Sequence, residues 1–595
     1  MRVSMAARGF ALCSLAAALA VCLTYPLAFQ LDRVGRLNTA DGHWSIWVIT
    51  WVSHALTTHP TKLFNANIFY PHDYTLAYSE ANIVPGVLGI PAYLLTKNPY
   101  ATHNTVVLLG FFFSFLSAYG LASYLTRHTG VSILCGIAFA YCPFIFARTA
   151  HIQLLMTFGL PWALHMMHRL IDRPTLWRGV ALGLVLMIQA LACAYYGIFA
   201  GLTVGLGVLF YAYTRRCWTN VGYWGAVALA AFVAVGIVAP FFTPYITVQH
   251  ELGFARTIED ANMFSADAGA WLASSAYAHR WMLPLLQRFG AGWNEVLFPG
   301  FLVTILGIAG VAIGLRTRPA AGAGAPAVAS ASASSSLPAS PMVNQHPADT
   351  IVPKMGRVRE ATIFYVLLGA IAFWTSFGPP AGLYTAFYYA IPVFSFLRAP
   401  ARVGIMVAMV LGVLMAIGLT EILRTRSKRT SIVACTILGA VMVMELMTAP
   451  LRVSEAPPLN PAYRMLAQLP KGPVAEFPFF YERQDFPRHA QYMLNSTWHW
   501  RPLINGYSDH IPEDFRDIVR PLSSFPSREG FRLLRERRAR YVLFHLSLYD
   551  RRSRERLLRQ IETYSAYLTP IYRDDDVWMF SISGWPPRAE GESRP

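Results

Sequence analysis

Ile83–Thr96 reads IVPGVLGIPAYLLT, and the reading of this stretch decides the topology of everything around it. It is almost wholly apolar, yet it has about 14 residues where a spanning helix needs roughly 20, and Pro85 and Pro91 interrupt it. Irregular backbone at membrane depth is tolerated only against protein or water. The expectation is therefore a re-entrant or interfacial segment rather than a span.

On both sides of it lie longer apolar runs. The chain of 595 residues is 55% hydrophobic and 14% aromatic, with a mean hydropathy of +0.39. That is too much apolar surface for one soluble domain, so lipid must solvate much of it. Spans are expected near 10–29, 102–125, 130–146, 152–171, 176–193, 195–213, 221–243, 292–315, 360–378, 401–423 and 430–449, about eleven in all.

A net charge of +17 could indicate a nucleic-acid partner, but in a membrane chain the position of the basic residues matters more. Here Arg2 and Arg8, Arg127, Arg169 with Arg173 and Arg178, Arg215 with Arg216, Arg316 to Arg359, and Arg424 to Arg429 mark every second connection. By the positive-inside rule these connections are cytoplasmic. The N-terminus is then cytoplasmic and the C-terminal domain lies outside; counting Ile83–Thr96 as a span would reverse the later clusters. Arg2, Arg8 and Ala18-Leu19-Ala20 also fit a cleaved signal peptide, but the apolar run continues to Phe29, longer than a usual signal core. The seven cysteines lie in or beside the spans, so neither a disulfide framework nor a Cys-based zinc site is expected.

Composition divides the chain into 1–315, a transmembrane module with outer loops 30–101 and 244–290; 316–359, a cytoplasmic linker; 360–449, trailing spans; and 450–595, an extracytoplasmic α/β domain. Residues 319–349 are rich in Ala, Ser, Gly and Pro with almost no charge, which predicts disorder. In the last region strands are expected at 473–479, 541–546 and Val577–Ile582, and helices at 528–538 and 552–564. No Gly-rich phosphate loop, nucleophile elbow or metal-ligand spacing occurs there. In the first outer loop, Trp44, Trp47 and Trp51 share a helical face over 43–56, as an interface-anchored helix would place them. A second interfacial helix is expected around 266–278.

Spans almost free of charge argue against an ion-coupled transporter, which more often places acids near the midplane. Acids, histidines and arginines gather instead at span ends: Asp41, Glu80, Arg148, His151 and Glu295. The strings Asn38-Thr39-Ala40-Asp41-Gly42-His43-Trp44, Arg148-Thr149-Ala150-His151, Phe264-Ser265-Ala266-Asp267, Asn294-Glu295, Leu397-Arg398-Ala399-Pro400-Ala401-Arg402 and Trp500-Arg501-Pro502-Leu503-Ile504-Asn505-Gly506-Tyr507 carry a resemblance. Together with the long first outer loop, the proline-broken segment and the terminal domain, they resemble the GT-C superfamily of multi-pass glycosyltransferases, in its uncharacterised bacterial branch.

That resemblance implies an all-α polytopic membrane fold of about eleven helices with a small C-terminal α/β extracytoplasmic domain. It implies transfer of a sugar from a polyprenyl-phosphate donor to a glycan, lipid or protein acceptor of the cell envelope, at the outer face of a bacterial inner membrane. An attacking hydroxyl needs a base, for which Asp41 is the candidate. A leaving lipid phosphate suits Arg148, Arg398 and Arg402, while Glu80, His151 and Glu295 are candidates to orient the sugar or hold a divalent cation. Better-known members often have an acidic pair in the first outer loop and an acid in the next turn. Here His43 and His151 stand at those places, so metal dependence is not carried over. The plainer readings make Asp41 a helix cap, Arg398 and Arg402 headgroup anchors, and Tyr195 and Tyr196 part of an aromatic belt. Against the enzyme stand a lipid-linked-sugar flippase and a non-catalytic scaffold that binds envelope polysaccharide. No nucleic acid is expected as a partner.

Overall fold

The computed structural model describes residues 5–253, 257–288, 295–317 and 356–587. Most of the expected linker and Asn294 lie outside the described residues. Among the described residues, 8 helices are long and apolar enough to cross a membrane: Ala6–Leu23, Pro99–Thr126, Thr129–Ala147, Ala194–Thr214, Val221–Glu251, Arg357–Ser376, Pro400–Leu423 and Lys428–Leu446. Ile83–Thr96, Leu176–Ala192 and Phe301–Arg316 are shorter apolar helices. The chain is a mostly helical, multi-pass membrane protein with a small sheet near its C-terminus.

Three expected spans are corrected by the structure. The run 152–171 is broken into Ile152–Leu155 and Gly159–Asp172. Pro161 lacks a backbone N–H and is accommodated at least cost in the first turn of a helix, and a new helix starts just before it. The Met156 carbonyl left free by the break accepts a hydrogen bond from the Gln189 side chain at 2.9 Å. The span expected at 221–243 runs on through Pro240 and Pro244 to Leu252, so the loop expected from 244 opens only at Gly253. The span expected from 292 begins at Phe301, after Gly300 with φ 107. The expected helix around 266–278 is reduced to Ala268–Leu272 and a single turn at Tyr277–His279.

The tryptophan stripe is also corrected. Helix Ala40–Thr58 does form, capped by Thr39, whose hydroxyl accepts from the Gly42 N–H at 3.1 Å. However, Trp44, Trp47 and Trp51 are all buried. The Trp47 indole donates to Asn67 (3.3 Å), and Trp51 donates to the Leu63 carbonyl (2.9 Å) and meets Trp500 edge-on. They are a packing face, satisfied by protein rather than by headgroups.

The C-terminal region builds one four-stranded sheet of β3 (Val474–Phe477), β4 (Tyr541–His545), β5 (Leu568–Arg573) and β6 (Val577–Ile582), in the order β3-β4-β6-β5. β3 runs parallel to β4, and the other pairs are antiparallel. β3 and β4 are buried at every position, and the acid among them, Glu476, lies 2.7 Å from His545 Nε2 and accepts from the Tyr463 hydroxyl at 2.7 Å. β5 was not expected: it is half exposed, contains Pro570 and bulges between Pro570 and Tyr572, so its alternation is lost. A two-stranded ribbon, β1 (Val34–Gly35) with β2 (Ser454–Glu455), ties the start of this region to the loop after the first helix.

A second seam joins the same two parts. Backbone N–H groups donate from Leu503 to Asn67 (2.9 Å), Tyr70 to Leu503 (3.0 Å), Phe69 to Asn505 (3.1 Å) and His510 to Tyr78 (3.1 Å). The segment 503–510 is thereby held along the loop that leads to Glu80, and it delivers its side chains to the same end of the helix bundle.

Candidate active site

The expected site residues meet in one cluster. Asp41 lies in the first turn of helix Ala40–Thr58, where the free N–H groups and the helix dipole favour a carboxylate. Its Oδ2 is 3.3 Å from His151 Nε2, which the turn after Arg148 brings across. The His151 hydrogen bond holds the Asp41 carboxyl below its ordinary range; the charges of His151, Arg398 and Arg402 act the same way and burial acts against them. Asp41 is thus an ionised, half-exposed carboxylate at neutral pH. Gly42 beside it is required, because an added Cβ would collide with the Arg36 carbonyl. His43 does not join the cluster: its Nδ1 turns back to the Thr39 carbonyl at 2.9 Å.

Glu80 lies deeper. It accepts the backbone N–H of Ala194, the first residue of helix Ala194–Thr214. Burial raises its carboxyl to about 7, opposed by the Ala194 N–H and the Arg402 charge. Arg148 and Glu295 form a buried ion pair. Arg398 is held at three points: its guanidinium pairs with Asp509 at 3.0 Å and lies over the Phe264 ring at 5.5 Å, while its backbone N–H donates to the Tyr195 hydroxyl at 3.1 Å. Arg402 lies over the Tyr195 ring, 4.6 Å from its centroid. Its Nε is buried with no hydrogen-bond partner among the described residues.

Arg402 links the groups together, since its charge acts on Asp41, Glu80 and Arg148 alike. A cation stacked on a ring, close to two acids but bonded to neither, is arranged for an anionic ligand. The carboxylates of the cluster already have Arg, His or N–H partners. Among the described residues no group of three His, Cys, Asp or Glu side chains is arranged to hold a metal ion. Among the described residues the donor set therefore does not fit a divalent cation.

Sequence reasoning missed three contributors. Tyr195 is the aromatic seat of Arg402 and a partner of Arg398, not a lipid-facing ring. Its neighbour Tyr196 is fully buried and donates to the Leu154 carbonyl at 3.0 Å. Asp509 and Tyr507 come from the C-terminal region: Asp509 accepts from Ser79 at 2.9 Å as well as pairing with Arg398. Burial raises the Tyr507 hydroxyl to about 12, and the charges of Asp41 and Asp509 push the same way. The string ending at Tyr507 was visible, but nothing in it says that the chain folds back onto Asp41. Asp267, in another quoted string, caps helix Ala268–Leu272.

No family model and no curated protein matches the sequence. Among solved structures the chain is similar to the arabinofuranosyltransferase AftD from Mycobacteria, with a TM-score of 0.59 at 14% identity over 96% of this chain and 40% of that one. This chain therefore spans 40% of the length of the mycobacterial protein. The Archaeoglobus fulgidus oligosaccharyltransferase aligns at a TM-score of 0.46 and 11% identity, over 96% of this chain and 73% of that chain. ArnT from Cupriavidus metallidurans bound to undecaprenyl phosphate aligns at 0.43 and 14% identity, over 91% and 99% of the two chains. The likeness to AftD is one of fold.

Proposed function

We propose that this chain, which has the fold of the GT-C membrane glycosyltransferases, transfers a sugar from a polyprenyl-phosphate donor to a cell-envelope acceptor. The observation that carries this reading is Arg402, a stacked guanidinium without a hydrogen-bonded partner at Nε, beside the ionised Asp41. Arg402 and Arg398 bind the donor phosphate, with the Arg148–Glu295 pair behind them. Asp41, oriented by His151, takes the proton of the acceptor hydroxyl as its oxygen attacks the anomeric carbon. The bond from that carbon to the phosphate oxygen breaks, and the arginines stabilise the charge gained by the leaving phosphate. Glu80 sets the charge around Arg402. The prenyl chain stays among the helices, so the donor does not leave the bilayer.

We place this site on the outer face of a bacterial inner membrane, with the N-terminus cytoplasmic, 316–359 a cytoplasmic linker and 450–595 outside. The alternation of basic connections supports this orientation. The test is transfer from radiolabelled polyprenyl-phosphate sugars to envelope acceptors in proteoliposomes, for wild type, Asp41→Asn and Arg402→Ala. Asp41→Asn is expected to lower turnover about 10²–10⁴-fold with donor binding retained. Arg402→Ala is expected to weaken donor binding about tenfold or more. Transfer that survives in a folded Asp41→Asn protein rejects Asp41 as the base. No transfer by wild type from any donor in a broad panel rejects the glycosyltransferase.

A further inference from the structure

We infer that Tyr507 and Asp509 form the acceptor side of this site and that the acceptor they read is a neutral carbohydrate presenting several hydroxyls. The inference rests on the glycosyltransferase reading and adds the acceptor class to it.

The cluster has two unlike sides. Glu295 and Arg148 are 5% and 13% exposed, and Arg402 has a buried Nε. The side chains of Arg398, His151, Asp509 and Asp41 are 26%, 32%, 36% and 49% exposed. Arg402 and the Arg148–Glu295 pair therefore lie inward, Arg398 stands between the two sides with its guanidinium on Asp509, and Asp41, Asp509 and Tyr507 line the solvent side. A lipid phosphate arriving from the bilayer meets the cations. Whatever arrives from solution meets the acids and the phenol.

The chemistry of that outer wall selects its ligand. Asp41 and Asp509 are acceptors only, while the Tyr507 hydroxyl both donates and accepts. No hydrogen bond to another described residue engages that hydroxyl, while the backbone N–H of Tyr507 donates to the Met493 sulfur at 3.2 Å. Sugar hydroxyls donate well to carboxylates, and bonds to charged acceptors are the strong ones. The exposed cation of that wall, Arg398, is already engaged by Asp509 at 3.0 Å, so a phosphate- or uronate-bearing acceptor would have to displace a carboxylate or sit beside two of them, which a neutral glycan need not do. A Ser or Thr side chain offers one hydroxyl, whereas Asp41, Asp509 and Tyr507 together offer partners to several. Arg398 and Ser79 hold Asp509 in place, so the wall is formed before the acceptor arrives. The four backbone bonds of the 503–510 seam fix the segment carrying both residues.

The experiment is equilibrium binding to the full-length protein in nanodiscs, with no donor present, of neutral hexose and pentose oligosaccharides, of phosphorylated and uronate-bearing analogues, and of a Ser/Thr peptide. Binding of a polyprenyl monophosphate is measured in parallel. At least one neutral oligosaccharide is expected to bind in preference to its charged analogue and the peptide. Tyr507→Phe, which removes only an oxygen that no described neighbour holds, and Asp509→Asn are each expected to weaken it about tenfold. In Tyr507→Phe the polyprenyl phosphate affinity should stay within about twofold and the thermal midpoint unchanged. Preference for the charged glycan or the peptide, absence of any glycan binding, or glycan affinity unchanged in a folded Tyr507→Phe protein overturns the inference. Glycan binding that weakens in both variants while wild type transfers no sugar from any donor leaves this subsite standing and rejects the transferase.

Discussion

Glu80 and Asp41 are the same kind of acid with opposite environments. Hydrogen bonding and neighbouring cations depress Asp41, whereas burial raises Glu80 to about 7. When Glu80 ionises it places a negative charge beside Arg402, where the donor phosphate is proposed to bind. The donor KM is therefore expected to rise as pH increases through about 7, and Glu80→Gln should flatten that rise; a pH series of initial rates checks both. The same group also affects folding. Its folded-state value lies above its ordinary one, so its stabilising contribution is complete below the ordinary carboxyl range and is lost as pH climbs through about 7. The thermal midpoint in detergent should fall between about pH 5 and pH 8, and fall less in Glu80→Gln. Asp41 works in the reverse sense: its contribution holds above the ordinary range and is lost as pH drops through its depressed value. Gly42→Ala adds no chemical group to the site, yet it should lower turnover by moving the first turn of the helix away from the Arg36 carbonyl and Asp41 with it.

At the scale of elements, the bundle depends on places where helices are interrupted or brought very close. The break between Leu155 and Gly159 lets the turn carrying Arg148 and His151 fold inward, and Gln189 satisfies the Met156 carbonyl that the break exposes. Gln189→Leu should cost about 1–3 kcal/mol, the penalty of a buried unpaired carbonyl, and should lower turnover through His151; thermal unfolding and the same transfer assay measure the two. Helices Phe301–Arg316 and Gly404–Leu423 touch backbone to backbone: a Cβ added at Gly418 would lie 2.5 Å from the Gly310 Cα. Lipid gives helices no hydrophobic reason to associate, so such close approach is a main source of attraction between them. Gly418→Leu should force the pair apart and lower the yield of folded protein in size-exclusion chromatography.

Across the whole molecule, two opposite ends of the bundle are held by different forces. The 21 residues of Ala194–Thr214 cover about 30 Å from the Glu80 contact to Arg215. At the far end Arg215 pairs with Asp172 at 2.7 Å and with Glu360 at 2.9 Å, and the Tyr124 hydroxyl donates to Asp172 at 2.6 Å. This network joins four helices, one of which lies beyond residues 318–355. Residues 1–317 and 356–595, co-expressed as separate chains, are therefore expected to assemble and co-purify, while Arg215→Ala in the first piece should lower the thermal midpoint and the yield of the co-purified pair. Removing one partner from a buried ion pair leaves an uncompensated charge, at a cost of about 3–5 kcal/mol.

Much of this protein was legible in its sequence, because lipid imposes one-dimensional rules. Apolar length locates helices, basic residues mark connections, and polar groups excluded from the bilayer must collect at helix ends. Those rules found Asp41, Glu80, Arg148, His151 and Glu295 before any of them had a neighbour, the resemblance to the GT-C superfamily added Arg398 and Arg402, and the structure gathers them around Arg402. They failed where a position was decided by contact. Trp47 and Trp51 have the same periodicity whether they face headgroups or protein, and only the packed Asn67, Leu63 and Trp500 distinguish the two. The run 152–171 is apolar enough to span, and it was the side chain of Gln189, on another helix, that made a break affordable in hydrogen bonds. Tyr507 and Asp509 entered the site through backbone bonds between segments far apart in the chain. Such pairings leave no local pattern, because a backbone N–H and its carbonyl partner are the same in every residue but proline.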